Sequence, residues 1–358
     1  MTILYLNLLI VFVFAFMARY LAVPAVATSY YAPVSIKPHK AFVTVAMLTL
    51  VFVSGLRINI GDTYYYRHSF IVNHFTWDYI LSEKDIGFGL LQFLLQRISY
   101  DPQILIFTTA LITNVLIVIV LYNYARMFEL SLYVYITSGL FLVSMNGIRQ
   151  FLAAAIIFAA TKYIFDGSWK KFTLVVVIAS TFHQSALIFL PIYFLVRRKA
   201  WTKATGGLLM LAVVMVVGYN QLSSILFAAI GDTQYGHYSE FTEGGANLLR
   251  VLVYAAPLVI AYIGREKLRE LFPQADYIVN LCMLNLVFMI IASQNWIFAR
   301  FTIYLGLYQL ILVSWIVKLF FEKDRKLIYF CIVIFYFIYF YYEHVIALNI
   351  DYRSNYLF

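Results

Sequence analysis

The sequence predicts an all-α, polytopic integral membrane protein, and three observations carry that prediction. Of 358 residues, 63% are hydrophobic and only 12% charged, against roughly half and a quarter in soluble domains, and the mean hydropathy is +0.84. Apolar runs close to the ~20 residues that a helix needs to cross a hydrocarbon core recur along the whole chain. The basic residues that separate them gather in short clusters, as in cytoplasmic loops. The net charge of +9 is that lysine and arginine excess, so the partner expected is a lipid bilayer and not nucleic acid.

Taken in order, about ten segments read as spans: 2–22, 41–57, 102–122, 130–146, 147–165, 204–220, 248–264, 277–295, 297–318 and 327–345. The first resembles a signal peptide, with Ala25-Val26-Ala27 as a cleavage site. A signal peptide carries its positive charge before the apolar core, and here the first basic residue, Arg19, follows it. It is therefore read as an uncleaved span with its N-terminus outside.

Five basic clusters are expected to share the cytoplasmic face: Lys37 with Lys40; Lys170 with Lys171; Arg197, Arg198, Lys199 and Lys203; Arg265, Lys267 and Arg269; Lys323, Arg325 and Lys326. Segment 172–196 must then leave and return to one face in about 25 residues, too few for two crossings. It is expected to form a re-entrant or broken-helix hairpin with Thr181-Phe182-His183-Gln184-Ser185 at its apex, lining protein or a water-filled cavity. The same reasoning allows only an odd number of crossings between residues 57 and 165. Segment 86–100, about 22 Å long as a helix and carrying Gln92, Gln96 and Arg97, is therefore placed on the outer face as an amphipathic helix. The organisation is one transmembrane domain over 1–358. Within it lie an outer-face loop and interfacial helix at 57–101, and an outer-face loop at 221–247 whose glycines and tyrosines suit a mobile lid.

Some chemistry is closed off by absence. There is no Gly-x-x-x-x-Gly-Lys phosphate loop, His-Glu-x-x-His helix, Gly-x-Ser-x-Gly elbow or Asp-x-Asp pair, one of which an ATP-driven pump or a cytosolic nucleotide-sugar transferase would show. The two cysteines, Cys282 and Cys331, sit inside apolar runs and imply neither a disulfide framework nor a metal site. No cofactor and no metal is expected.

The positive evidence is a set of arginines at the outer ends of their spans, centred on Ser144-Met145-Asn146-Gly147-Ile148-Arg149-Gln150. An arginine near bilayer depth is costly and marks a functional site whose partner has to be found. No carboxylate stands within a turn or two of Arg149, so a distant Asp or Glu or a ligand must meet it. Arg57, with Asp62 five residues on, and Arg300, in Asn295-Trp296-Ile297-Phe298-Ala299-Arg300, complete the set. Guanidinium grips phosphate oxygens bidentately and stays charged, so Arg149, Arg57 and Arg300 read as a diphosphate clamp acting without a metal. Asn146, Gln150, Gln184 and Tyr66 read as supporting groups. Each arginine also has a plainer reading as a charge snorkelling to headgroups or an interfacial anchor, and Arg67 and Arg250 read as structural. Asp62 is either an acid or base or a turn residue after Gly61. His183 is either a core histidine satisfied by Ser185 or a backbone carbonyl, or a general base near neutral pH.

At these residues the chain resembles a known family. The Ser-Gly-Leu-Arg-x-x-Ile-Gly-Asp-Thr-x-x-Tyr segment at 54–66, Met-Asn-Gly-Ile-Arg-Gln at 145–150, Phe-His-Gln-Ser-Ala-Leu-Ile at 182–188 and Asn-Trp-Ile-Phe-Ala-Arg at 295–300 are similar to the EpsG family. These are transmembrane proteins of bacterial biofilm exopolysaccharide clusters, grouped with Wzy-type polysaccharide polymerases. The resemblance implies a membrane glycosyltransferase of the cell membrane with its active face outside. Its donor would be an oligosaccharide repeat unit on undecaprenyl diphosphate and its acceptor a growing polysaccharide, with a flippase and a chain-length regulator as protein partners. In the wider group outer-face arginines and a histidine carry the function, which by position implies Arg57, Arg149, Arg300 and His183 here. Two other classes stay open: a flippase for the same lipid, which needs a cavity opening to both faces, and a non-catalytic scaffold, which would not need Arg149 or His183 at depth.

Overall fold

The computed structural model of the chain describes residues 1–24, 36–219 and 245–357. Helix α1 (Thr2–Tyr20) packs along α2 (Lys40–Gly55). It turns Leu4, Leu8, Val11, Ala15 and Ala18 inward at helical spacing and leaves Leu9, Val13 and Phe16 exposed. A helix apolar on its outer face as well as its inner one suits lipid and not water. The connection between them is pinned by a two-residue backbone ladder, Val23–Pro24 against Ile36–Lys37.

Three short helices follow, α3 (Thr63–Val72), α4 (Trp77–Ser82) and α5 (Ile86–Gln96). They form a cap with a small core of its own, in which Phe70, Phe75, Ile80, Phe88 and Leu95 pack against Leu105, Ile106 and Ile148. Gln96, one of the polar residues that speaks against a span here, donates to the Phe70 and Asn73 carbonyls at 2.6 and 3.1 Å.

Helix α6 (Gln103–Tyr124) returns through the bundle. Next come α7 (Phe128–Thr137) and α8 (Leu140–Asn146), bent by 55° at Ser138-Gly139. Gly139 takes φ +86°, and a Cβ there would sit 2.6 Å from the His344 ring, so only glycine fits this elbow. After a break at Gly147, α9 (Ile148–Ala159) runs down the centre, against α6 and two helices still to come, and continues as α10 (Thr161–Phe165).

The expected hairpin is present. Helix α11 (Trp169–Phe182) stops at His183, whose backbone is extended; a 3-10 turn (Gln184–Ile188) and α12 (Phe189–Val196) lead back. The arms close on each other, with the Phe172 and Tyr193 rings 5.1 Å apart and Arg197 donating to the Ile164 carbonyl at 2.8 Å. At 1.5 Å per residue the first arm is only about 21 Å long, short of a full crossing.

The rest of the bundle is α13 (Lys203–Val217), α14 (Leu248–Ile263), α15 (Arg265–Leu271), α16 (Ala275–Ala292), α17 (Ala299–Ile316) and α18 (Arg325–Phe340), the last running on into a π-helical stretch at Tyr341–Ala347. Helix α17 packs against α16, α9 and α7. The C-terminal segment then folds over the end of α2: Tyr352 donates to the Val53 carbonyl at 2.7 Å, Ser354 to that of Leu56 at 2.6 Å, and Ile58 to that of Arg353 at 3.0 Å. Nothing in the residue pattern announces this docking, because its bonds are to backbone.

The chain is a multi-pass membrane protein. Among the described residues five helices are long and apolar enough to cross, or up to seven if each bent pair counts as one span. The expected number of about ten is not confirmed, because several apolar runs form shorter helices: Lys40–Gly55 has 16 residues, Ile148–Ala159 has 12 and Lys203–Val217 has 15. The expected lid at 221–247 lies, but for its last residues, outside the described residues.

The two ends of the bundle differ. One carries the cap, Gly147, His183 and the start of α17. At the other, Lys37 bonds Asn123 at 3.1 Å, Arg197 bonds Ile164, Asn280 bonds the Arg198 carbonyl at 2.7 Å, and Lys267 bonds the Leu319 carbonyl at 3.0 Å. These contacts join the basic clusters at that far end.

Candidate active site

Three interruptions of helix meet at the capped end. One is Gly147, between α8 and α9. The second is His183, at the hairpin apex. The third is Asn295, extended at φ −149° and ψ 123°, which with a 3-10 turn at Trp296–Phe298 separates α16 from α17. Breaks at this depth need partners for the freed backbone groups. Asn295 supplies one, its side chain accepting the Ile297 N–H at 3.0 Å.

Arg149 opens α9 at the first of these breaks. Its Nη1 donates to Asp85 Oδ2 at 2.9 Å, so the partner left open by the sequence is a carboxylate 64 positions away. Asp85 is 4% exposed and Arg149 39%. The other Asp85 oxygen accepts the Gln184 N–H at 3.2 Å, so one carboxylate ties the arginine to the hairpin apex. Burial pushes the Asp85 carboxyl above its usual range, and the guanidinium beside it pulls back. The guanidinium also lies over the Tyr66 and Phe88 rings, 5.9 Å from each centroid. Its Nε is buried with no hydrogen-bond partner among the described residues.

The structure places Arg57 in a different setting. It is 1% exposed and its fork is filled: Nε donates to Thr63 Oγ1 at 3.0 Å, Nη2 to the Met145 carbonyl at 2.6 Å, and Nη1 to the Ser54 carbonyl. Each of its three nitrogens has a partner within the chain. Arg57 instead splices the end of α2 to the end of α8, one turn before Arg149.

The other expected residues fall around Arg149. Asn146 accepts the Asp62 N–H at 2.9 Å, across a turn in which Ile60 and Gly61 both have positive φ. A Cβ on Gly61 would stand 2.1 Å from Asn146 Oδ1, so the contact requires glycine. Ile60 at φ +82° is strained for a β-branched residue. Gln150 donates to the Arg300 carbonyl at 2.8 Å, fastening α9 to the start of α17. Arg300 lies over the Trp296 ring at 5.1 Å.

His183 is buried. Its Nδ1 is 2.7 Å from Ser185 Oγ, which is 2.9 Å from the Tyr304 hydroxyl. The Ser185 contact is one of the two alternatives that the sequence leaves open. Tyr304 is not marked there, although it stands four residues after Arg300 and so on the same helix face. His183 lies within electrostatic reach of both Arg149 and Arg300. Arg149, His183 and the Arg300 segment are therefore neighbours.

A cavity of about 430 Å³ opens beside Arg149 under the cap. Asp62 and Tyr66 line it. So do Asp85, Glu83, Gln92 and Ser69, together with the Tyr65, Tyr79 and Phe88 rings, which sequence reasoning does not single out. Three carboxylates against one guanidinium make the lining acidic. A diphosphate would be repelled from its middle, whereas sugar hydroxyls can donate to carboxylates and sugar C–H faces can rest on aromatic rings.

No curated protein and no solved structure matches the chain. The EpsG family model matches residues 40–356, which includes the Arg149 segment, the His183 hairpin, the cap and the docked C-terminal segment, and on that match the chain belongs to the EpsG family.

Proposed function

We propose that the protein is an exopolysaccharide polymerase of the cell membrane, working at the outer face. It transfers a repeat unit from undecaprenyl diphosphate to a growing polysaccharide. The observation that carries this reading is the position of Arg149. It stands between an acidic, aromatic cavity suited to sugar and the cluster of His183, Ser185 and Tyr304 beside the Arg300 segment.

In this reading an acceptor hydroxyl lies in the cavity and attacks the anomeric carbon of the donor, and the carbon–oxygen bond to undecaprenyl diphosphate breaks. His183 takes the hydroxyl proton, held in place by Ser185. Arg149, released in part from Asp85, and Arg300 neutralise the diphosphate as it leaves. One displacement inverts the anomeric centre. Arg57 holds Arg149's segment in place and touches no substrate. A flippase and a chain-length regulator are the protein partners that fit.

The test is whether purified full-length protein in lipid nanodiscs, given a lipid-linked repeat unit, makes longer chains. Movement of the lipid across proteoliposomes with no lengthening would replace this reading with that of a flippase.

A further inference from the structure

Helix α5 buries one face, and that face reads Phe88, Gly89, Gln92 and Leu95. An amide within an otherwise apolar stripe is costly unless its donors and acceptor are met. Three other glutamines near the site meet backbone: Gln96 donates to the Phe70 and Asn73 carbonyls, Gln103 to those of Gly55 and Arg57, and Gln150 to that of Arg300. Gln92 is different. It is 7% exposed and lines the cavity beside Arg149, and among the described residues its side chain makes no hydrogen bond. It ties no two elements together, so its two N–H donors and its carbonyl are left for whatever fills the cavity.

The charges of the same lining are unequal. Asp85 is committed to Arg149 and to the Gln184 N–H. Asp62 stands at the N-cap of α3, yet its side chain accepts no bond from that helix, and neither Asp62 nor Glu83 has an ion pair among the described residues. Glu83 lies within electrostatic reach of Arg149, and Lys84 acts on Asp85 from outside the cavity. The wall itself holds three carboxylates and one guanidinium.

Such a wall sorts sugars. Adjacent hydroxyls of a pyranose offer a donor to the Gln92 carbonyl and an acceptor to its N–H, and further hydroxyls donate to Asp62 or Glu83. The C–H face of the ring rests on Phe88 and Tyr66, which meet edge to face at 6.0 Å. A uronic acid would bring another carboxylate to a wall that already has an excess of them, and like charges brought together select against it.

We propose that Gln92 reads the acceptor in this cavity, and that the sugar seated there is an uncharged pyranose with adjacent free hydroxyls, acidic sugars being refused by Asp62 and Glu83. The proposal rests on the reading of the cavity as the acceptor's and adds to it the class of sugar and the residue that selects it.

The test uses full-length protein in lipid nanodiscs. Methyl glucoside, methyl galactoside, methyl mannoside and methyl glucuronide are titrated one at a time, and binding is read by NMR saturation transfer from protein to sugar. At least one neutral glycoside should bind saturably, and the glucuronide should not. Gln92→Met, of similar length and apolar like the rest of its stripe, should keep or raise the melting temperature and bind that glycoside about tenfold more weakly. A Gln92 that only supports the fold predicts the reverse, a lower melting temperature with binding unchanged. Asp62→Asn with Glu83→Gln should admit the glucuronide. The proposal is overturned by no saturable binding of any neutral glycoside, by glucuronide binding to wild type, by equal binding in wild type and Gln92→Met, or by refusal of the glucuronide in the double variant. If Gln92→Met does not fold, Gln92→Glu decides the matter: it keeps the shape and loses the N–H donors, and unchanged glycoside binding overturns the proposal. Failure of the polymerase reading looks different, since the glycosides then bind as described while no lipid-linked repeat unit is lengthened.

Discussion

Arg57 and Arg149 look alike in the sequence, each at the outer end of an apolar run, and the structure gives them opposite situations. Arg57 is sealed, with all three nitrogens on oxygens of its own chain, two of them backbone carbonyls at the ends of α2 and α8. Arg149 is paired on one side only, over two aromatic rings, and faces a cavity. They are linked through α8: Arg57 bonds Met145, and Arg149 comes four residues later. What separates the two arginines is the supply of acceptors within the chain, not depth or charge. A guanidinium whose three nitrogens all meet acceptors in the chain is tied to the fold, and one with a nitrogen to spare can meet a substrate.

The largest effect expected from this contrast is on folding. Arg57→Ala removes the donor from the buried Ser54 carbonyl and leaves the Met145 carbonyl only the long bond from Thr63 Oγ1 at 3.4 Å, at a cost of about 3 kcal/mol or more. Arg57→Lys cannot span three acceptors and should do little better. Both should give little folded protein when purified by size exclusion in detergent. If Arg57→Ala folds normally and loses only chain elongation, Arg57 belongs with Arg149 and the contrast is broken.

His183→Gln should come next. It should fold, because Gln can still meet Ser185, and yet lose turnover by roughly a hundredfold or more if the imidazole takes the acceptor proton. Elongation of a defined lipid-linked repeat unit, normalised to folded protein, measures this. Arg149→Lys is expected to be milder, about ten- to a hundredfold down with folding intact, since it loses one charge-assisted bond to the leaving group. Near wild-type elongation by Arg149→Lys would mean that Arg149 is only an anchor held by Asp85.

Much of this layout is legible in the residues, and the remainder has identifiable reasons for being hidden. The hairpin can be read because Lys171 and Arg197 bracket an apolar run too short to cross twice. The far-end clustering of basic residues follows from the same charge pattern. The number of spans is not fixed by hydropathy, which registers apolar runs and not the breaks at Gly147 and Ala160 or the brevity of α2 and α13. The sealing of Arg57 is hidden because its acceptors are mostly carbonyls, which no side-chain pattern marks. Asp85 escapes notice because its partner lies 64 positions away with no periodicity between them. An arginine with no nearby carboxylate is the only hint, and it names a class of partner and not a residue.

The smallest expected effect decides between two roles for Asp62. Its backbone N–H is fixed by Asn146 at 2.9 Å while its carboxylate lines the cavity. If that carboxylate only receives a sugar hydroxyl, Asp62→Asn replaces a charged acceptor by a neutral one. The difference is about 1 kcal/mol, or roughly fivefold in affinity. The acceptor KM should rise by that factor with kcat almost unchanged, because the bond is made equally in the ground and transition states. Glu83→Gln, across the same cavity, should behave alike. A proton-accepting Asp62 makes a different prediction: kcat falls about a hundredfold or more with KM nearly constant, and His183→Gln then retains most of its activity. The two variants, measured against the same acceptor, place the base either in the acidic cavity or at the hairpin apex.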